Sequence, residues 1–95
     1  MVEQGDIIKI DGIKNTALVV SKNLFNESGH AILCPVMTGS LPSTLSYSID
    51  EDKYVLCDNM RQIDIESRGY SVTGRVPLAH LINIVDRIQS LFDYY

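Results

Sequence analysis

The residues best suited to chemistry in this sequence are basic and occupy two separate stretches. Six of them stand near the ends of candidate strands: Lys9, Lys14, Lys22, Arg61, Arg68 and Arg75. Side-chain cations bind phosphate groups, so a fold that brings the two stretches together would create one positive face. The alternative is that these charges are scattered and solvated, and spacing alone leaves both interpretations open.

Other reactive side chains form no known catalytic motif. His30 and His80 could act as acid and base if the fold paired them, but histidines at a strand start or on a polar helix face are usually inert. Three serines, Ser21, Ser40 and Ser43, have no histidine at a telling distance in the sequence. The sequence therefore names no nucleophile by motif alone.

Ligands for a metal are few. Asp50, Glu51 and Asp52 follow one another at a turn, where solvation is a simpler interpretation than cation binding. Cys34 and Cys57 lie inside apolar runs, which predicts small buried hydrophobes in a reducing compartment. A zinc site would need more ligands at closer spacing, so we expect no metal and no cofactor.

Length and composition limit the class of protein. Ninety-five residues, of which 45% are hydrophobic, predict one domain spanning residues 1–95. The net charge of −4 excludes the simplest nucleic-acid binder, a small domain covered in positive charge, so any contact with RNA needs a local patch. The sequence has no apolar run of membrane-spanning length and no secretory signal pattern, which predicts a cytoplasmic protein.

A mostly β fold must position these residues. Runs of apolar and β-branched residues between turn signals predict five or six strands, at about 7–11, 16–21, 30–37, 45–50, 54–58 and 62–66. Residues 22–29 predict a loop with a short helical turn. Pro35 cannot donate to a strand ladder, so it must fall at an edge or a bulge. Short strands with tight turns are typical of a small closed barrel or a sandwich.

Residues 77–93 predict a terminal amphipathic helix. At 100° per residue its continuous apolar face holds Leu78, Leu81, Ile82, Val85, Ile88, Phe92 and Tyr95, with Ile84 and Leu91 at the margin. We expect this face to dock on the sheet. Its width would also allow a subunit contact.

Several motifs, taken in order along the chain, resemble one family. The strongest is the run VLCDNMRQID at 55–64, close to that family's CDQxRxID strand. The others are GDII at 5–8, ALVVS at 17–21 with NLFN at 23–26, CPV at 34–36, Arg68-Gly69 and GRV at 74–76. From about Gly5 to its C-terminus, the chain resembles the MazF/PemK toxins.

The resemblance carries expectations for fold and function. It implies a small SH3-like barrel of five to six strands with a C-terminal α-helix, assembled as a homodimer and inhibited by a cognate antitoxin. It also implies a sequence-specific, metal-independent endoribonuclease that cuts single-stranded mRNA in the cytoplasm. In that reaction the 2′-hydroxyl attacks the adjacent phosphorus and leaves a cyclic phosphate and a free 5′-hydroxyl.

The sequence departs from the family at its principal catalytic positions. The family's catalytic Arg falls at Asn15, the Pro after it at Thr16, and the catalytic Thr at Met37. A Glu-Gln pair disappears with a shortened first loop. Because an amide carries no charge, Asn15 cannot stabilise a phosphorane as a guanidinium does.

Neighbouring residues are the candidate replacements. Lys14 is predicted to supply the cation, and Thr38 or Ser40 the hydroxyl, as catalytic residues. Adjacent strand residues point to opposite faces, so Lys14 and Thr38 would need a bulge or an early strand end to take over. The residues predicted to bind RNA are Asn15, Lys22, Asp58 and Arg61.

An alternative function remains open at this point. A catalytically inactive protein of the same fold could bind nucleic acid, an antitoxin or a host protein, and the substituted positions favour it. Phe25 and Tyr47 are candidates for stacking on RNA bases, although packing in the barrel or a loop is the simpler interpretation of each.

Overall fold

The fold is an antiparallel sheet with one terminal helix. The computed structural model describes residues 1–39 and 45–92. Its strands are β1 (Asp6–Ile10), β2 (Ala17–Val19), β3 (His30–Thr38), β4 (Ser46–Ser48), β5 (Lys53–Leu56), β6 (Arg61–Asp64) and β7 (Tyr70–Arg75). Its helices are the single turn α1 (Asn23–Asn26) and α2 (Leu78–Gln89), which continues as a 3₁₀ turn over Ser90–Phe92.

The strand order is β4-β5-β3-β2-β1-β7, with β6 pairing β3 beside β5. This confirms the predicted mostly β class with a C-terminal helix. Residues 1–39 and 45–92 contain seven strands, which exceeds the five or six expected because β7 was not predicted. In the described part of the chain, β4 and β7 each pair on one side only, so the hydrogen-bonded path does not close into the predicted barrel.

The long strand β3 shares one edge between two partners. Val36 lies opposite Val55 in β5, and Leu33 lies opposite Arg61 in β6. The two positions on β3 are three residues apart, whereas their partners on β5 and β6 are six residues apart. The extra residues form an irregular connection between β5 and β6 and do not pair with β3. Pro35 sits at this break, where neither β5 nor β6 pairs with it, which confirms that its missing N–H requires an irregularity.

Helix α2 docks on the sheet through part of its predicted face. Leu81, Ile84 and Ile88 are buried against the sheet, whereas Leu78, Ile82 and Phe92 are 69%, 52% and 71% exposed. The docked stripe is thus rotated toward Ile84, which the periodicity had placed at the margin. The adjacent apolar strip remains uncovered in the single chain.

The short turn α1 is fixed by a buried polar network at the end of β2. The Ser21 hydroxyl donates to Asn26 Oδ1, Asn26 Nδ2 donates to the Ser21 carbonyl at 3.0 Å, and the Ile32 N–H donates to Ser21 Oγ at 2.9 Å. All three groups are satisfied by one another, as buried polar groups must be. Ser21 therefore has a structural role here, and the predicted short helical turn is confirmed.

Both cysteines are buried thiols, as predicted. Burial raises the pKa of Cys34 from 9.0 to about 12, and the nearby Cys57 and Asp58 add to the shift. The thiolate is the reactive species, and at pH 8 only about 10⁻⁴ of a thiol with that pKa is ionised. We expect native protein to resist iodoacetamide at pH 8, and the guanidinium-denatured chain to be labelled rapidly at both cysteines.

The raised pKa of Cys34 predicts that the free energy of unfolding falls at alkaline pH. Because the pKa of Cys34 is higher in the folded state than its usual 9.0, the folded protein keeps its proton while the unfolded chain releases it. The stabilisation is complete below about pH 9 and falls as the pH rises toward 12. Urea unfolding of the parent and of Cys34→Ala across this pH range measures the loss. If the unfolding free energy of both proteins depends equally on pH, Cys34 is not its cause.

Candidate functional site

A cavity of about 810 Å³ opens where the β1–β2 turn, the middle of β3, the β5–β6 connection and the β6–β7 turn meet. Its lining contains both polar and apolar residues. The polar lining residues are Asn15, Thr16, Asn59, Arg61, Gln62 and Arg68. The apolar ones are Ile10, Ile13, Ala17, Leu33, Pro35, Met37, Leu56 and Ile63.

The two arginines reach the cavity from different elements. Arg61 opens β6 and is held by its pairing with Leu33. Arg68 lies in the β6–β7 turn, where its N–H donates to the Ile65 carbonyl at 3.3 Å. The two guanidinium groups therefore approach one site from a strand and from a turn.

The β6–β7 turn is joined to the β1–β2 turn. The Asp11 N–H donates to the Gly69 carbonyl at 3.1 Å. Gly69 has φ +78°, and a Cβ there would lie 2.6 Å from Asp11 Oδ2, so both conformation and space call for glycine. This junction holds Arg68 close to the turn that carries Asn15.

The charge of this cavity is opposite to that of the whole chain. Among residues 1–39 and 45–92, the lining includes two arginines and no carboxylate, and neither arginine takes part in an ion pair. Arg75 differs, because its guanidinium lies 2.6 Å from Asp6 Oδ1 and 3.7 Å from Glu3 Oε2. Two unpaired guanidinium groups facing a concavity make it complementary to phosphate.

The structure separates the predicted site residues into two groups. Asn15 and Arg61 line the cavity, as does Met37. Lys14, Lys22, Thr38 and Asp58 are exposed and do not line it. Ser40 lies outside the described residues, so its predicted role has no structural account.

The bulge that would bring Thr38 inward is not seen. Residues 36–38 of β3 pair with residues 55–53 of β5 in unbroken register. Since successive side chains of a strand alternate between faces, Met37 and Thr38 point in opposite directions. The catalytic roles of Lys14 and Thr38 therefore stay predictions.

Four polar lining residues were not among the predicted site residues: Thr16, Asn59, Gln62 and Arg68. Arg68 was noticed as a cation, but no local pattern distinguished it from Arg75. What distinguishes the two is the contact between turns at Asp11 and Gly69, which joins positions far apart in the chain. Lys9, another cation noticed in the sequence, binds the carbonyls of Ile10 and Ile13 and stabilises the β1–β2 turn.

The histidines and aromatic candidates lie elsewhere. Tyr47 Oη is 2.8 Å from His80 Nδ1, accepts from Asn83 Nδ2 at 3.2 Å, and its ring lies 5.2 Å from the Arg87 guanidinium carbon. This network ties β4 to α2. Neither Tyr47 nor Phe25 lines the cavity, and His30 lies opposite Asp64 at the far end of β3. Apart from the two arginines, the lining has no titratable side chain within the described ranges.

No group of three or more metal-ligating side chains occurs in the part of the chain that the structure describes. No helix in that part is long and apolar enough to cross a lipid bilayer. A second cavity, of about 420 Å³, is mostly apolar; it shares Arg61 and Gln62 with the first, and Val85, Ile88 and Phe92 form its helical wall.

The sequence profile of the PemK-like, MazF-like toxins of type II toxin–antitoxin systems matches residues 3–92. The chain belongs to this toxin family. Among curated proteins, none matches it by sequence.

Solved structures show the PemK/MazF-like fold. A MazE–MazF complex from Deinococcus radiodurans is 22% identical with a TM-score of 0.85, covering 96% of this chain and 95% of that one. An endoribonuclease from a mycobacterial species is 18% identical with a TM-score of 0.82, covering 96% and 90%. The same kind of enzyme in complex with its cognate antitoxin is 18% identical with a TM-score of 0.83, covering 100% and 99%.

In this PemK/MazF-like toxin, the cavity lining includes the positions that the resemblance singled out. The positions at which the resemblance places the catalytic Arg, its following Pro and the catalytic Thr are Asn15, Thr16 and Met37, and all three line the arginine-lined cavity. The cavity therefore contains the three positions that the resemblance assigns to the family's catalytic residues.

Proposed function

We propose that this toxin binds single-stranded RNA in the arginine-lined cavity and cleaves it without a metal, as a sequence-specific endoribonuclease. The observation that carries the proposal is electrostatic. On a chain of net charge −4, the cavity has two unpaired arginines and no carboxylate among the described lining residues. A phosphate backbone is the ligand class for which such a lining is built.

The reaction is a transesterification. A bond forms between the 2′-oxygen and phosphorus while the bond from phosphorus to the 5′-oxygen breaks, giving a cyclic phosphate and a 5′-hydroxyl. Negative charge grows on the non-bridging oxygens, where Arg61 donates hydrogen bonds that strengthen in the transition state. Asn15, Asn59 and Gln62 offer neutral donors and acceptors that suit the edges of unpaired bases.

The partners of the toxin are a cognate antitoxin and a second copy of the chain. The uncovered strip of α2, with Leu78, Ile82 and Phe92, continues into the apolar cavity beside the RNA site. Apolar patches of this kind mark protein contacts. A homodimer and an antitoxin bound across these surfaces, in the cytoplasm where mRNA is translated, fit the family.

A second candidate function has its own observation. Asn15 and Met37 occupy the cavity in place of the cation and hydroxyl that the resemblance implies. The second candidate is a toxin of the same fold that binds RNA, an antitoxin or a host protein without cleaving it. Retention of RNA without new 5′-hydroxyl ends is its signature.

Incubation of the purified toxin with cellular RNA and EDTA separates the two candidates. We expect discrete cuts, mapped by primer extension, that leave 5′-hydroxyl ends. Arg61→Ala should lower the rate roughly 100-fold because a charge-matched donor is lost from the transition state. Lys53→Ala, which removes an exposed cation outside the cavity, is the matched control. Intact RNA at all toxin concentrations would contradict cleavage.

Lys14 and Thr38 are tested in the same assay. Each is adjacent in sequence to a lining residue, and both remain proposed as an additional cation and hydroxyl for the reaction. A Lys14→Ala/Thr38→Ala variant that cleaves at the full rate would remove both from the site. A large loss with unchanged melting temperature would keep them in it.

A further inference from the structure

We infer that Arg68 is a second phosphate-binding residue, which contacts the scissile phosphate and supplies the positive charge that Asn15 lacks. The inference rests on the proposed function of the cavity. It assigns to the β6–β7 turn a role in substrate binding that the sequence motifs alone did not indicate.

The position of Arg68 is fixed by its turn. The Arg68 N–H bonds to the Ile65 carbonyl at 3.3 Å, and the next residue accepts from the Asp11 N–H at 3.1 Å. Gly69 lies beside the Asp11 side chain, so the two turns are in contact. Arg68 and Asn15 therefore line one cavity although more than half the chain separates them.

The electrostatics of Arg68 leave its charge available. Within residues 1–39 and 45–92 no carboxylate lies within ion-pair distance of its guanidinium, whereas Arg75, in the strand that follows, is bound to Asp6 and Glu3. A guanidinium presents parallel N–H donors that match two phosphate oxygens. Arg61 and Arg68 can then hold one phosphate from two sides.

Arg68 acts by hydrogen bonding and not by proton transfer. As the bond from the 2′-oxygen to phosphorus forms and the bond to the 5′-oxygen breaks, the proton of the 2′-hydroxyl passes to hydroxide and the 5′-oxygen takes one from water. An arginine side chain has hydrogen-bond donors and no acceptor, so Arg68 acts only as a donor. Arg68 stabilises the negative charge that develops on the non-bridging phosphate oxygens.

The test compares Arg68→Ala, Arg68→Lys and the control Lys53→Ala in the full chain. Cleavage is measured in single turnover on a fluorescein-labelled single-stranded RNA, and affinity on its 2′-O-methyl analogue, which cannot be cut. We expect Arg68→Ala to slow cleavage roughly 100-fold and Arg68→Lys to recover part of the rate, since charge is kept without the planar fork. The control should keep the parental rate, and melting temperatures check that all variants fold.

The outcomes separate this inference from the proposed function. If the parent cleaves RNA and Arg68→Ala matches Lys53→Ala, the inference is overturned while the function stands. If the parent binds the analogue without cutting RNA, Arg68→Ala should weaken binding and reduce the slope of log affinity against log salt by about one. An unchanged slope overturns the inference. A parent that neither binds nor cuts RNA removes the proposed function and this inference with it.

Discussion

We expect replacement of Asn15 by Arg and Met37 by Thr in one chain to raise single-turnover cleavage of single-stranded RNA by roughly 100-fold or more. Both residues line the cavity beside Arg61, so the new guanidinium and hydroxyl would lie at the proposed RNA site. A donor aimed at developing charge in such a site is worth about 2.7–4 kcal/mol. The expected gain follows from adding one such donor to a site that now has an amide there.

Two controls make that gain interpretable. Ser71→Arg adds the same charge on the exposed strand β7, outside the cavity, and should leave the rate unchanged. In the double-substituted background Arg68→Ala should cost less than in the parent, because two cations then share the role. A folded double variant that cleaves no faster than the parent would show that the cavity is not where phosphorus is attacked.

The cleavage rate should rise about tenfold per pH unit from about pH 6 to about pH 9, a thousandfold in total. Apart from the two arginines, no titratable side chain of the described ranges lines the cavity, so no residue there exchanges its proton near neutrality. The 2′-hydroxyl must then lose its proton to hydroxide, whose concentration sets the slope. The measurement is single-turnover cleavage of one labelled RNA across buffers of constant ionic strength.

The shape of the pH–rate profile shows whether a side chain acts as an acid or a base in the reaction. A bell or a plateau below pH 8 would reveal an acid or base at the site, and Asp58, which precedes the lining residue Asn59, would be the first to test. His30→Gln serves as the control, because His30 lies at the far end of β3 and its loss should leave the profile unchanged. The expected straight line would also explain why the sequence shows no acid–base motif.

Elements formed by local patterns were predictable, and the one that depends on distant pairing was not. Helix α2 followed from its 3.6-residue periodicity, and the irregularity at Pro35 followed from a missing N–H. Strand β7 is largely exposed, with only Tyr70 and Gly74 partly covered, so it lacks the apolar alternation that marks a half-buried strand. Its only described partner is β1, at the other end of the chain.

Some residues of the candidate site could likewise be located from the sequence, and others only from the fold. Asn15 and Met37 were located because the motifs around them align with a family, and both line the cavity. Arg68 could not be distinguished from Arg75 by type or spacing, since the difference lies in which partner the fold supplies. Asp6 neutralises Arg75 across the β1–β7 pair, while no carboxylate among the described residues reaches Arg68.

The pairing of β1 with β7 also sets the timing of folding during synthesis. Ile10 pairs with Tyr70, so the outer edge of β1 must wait for residues made sixty positions later. At about 5–20 residues per second, that delay is roughly 3–12 s. The turn that carries Arg68 is synthesised just before Tyr70. The cavity that Arg68 lines therefore cannot assemble until the β6–β7 turn has been made, after the residues of β1 to β6.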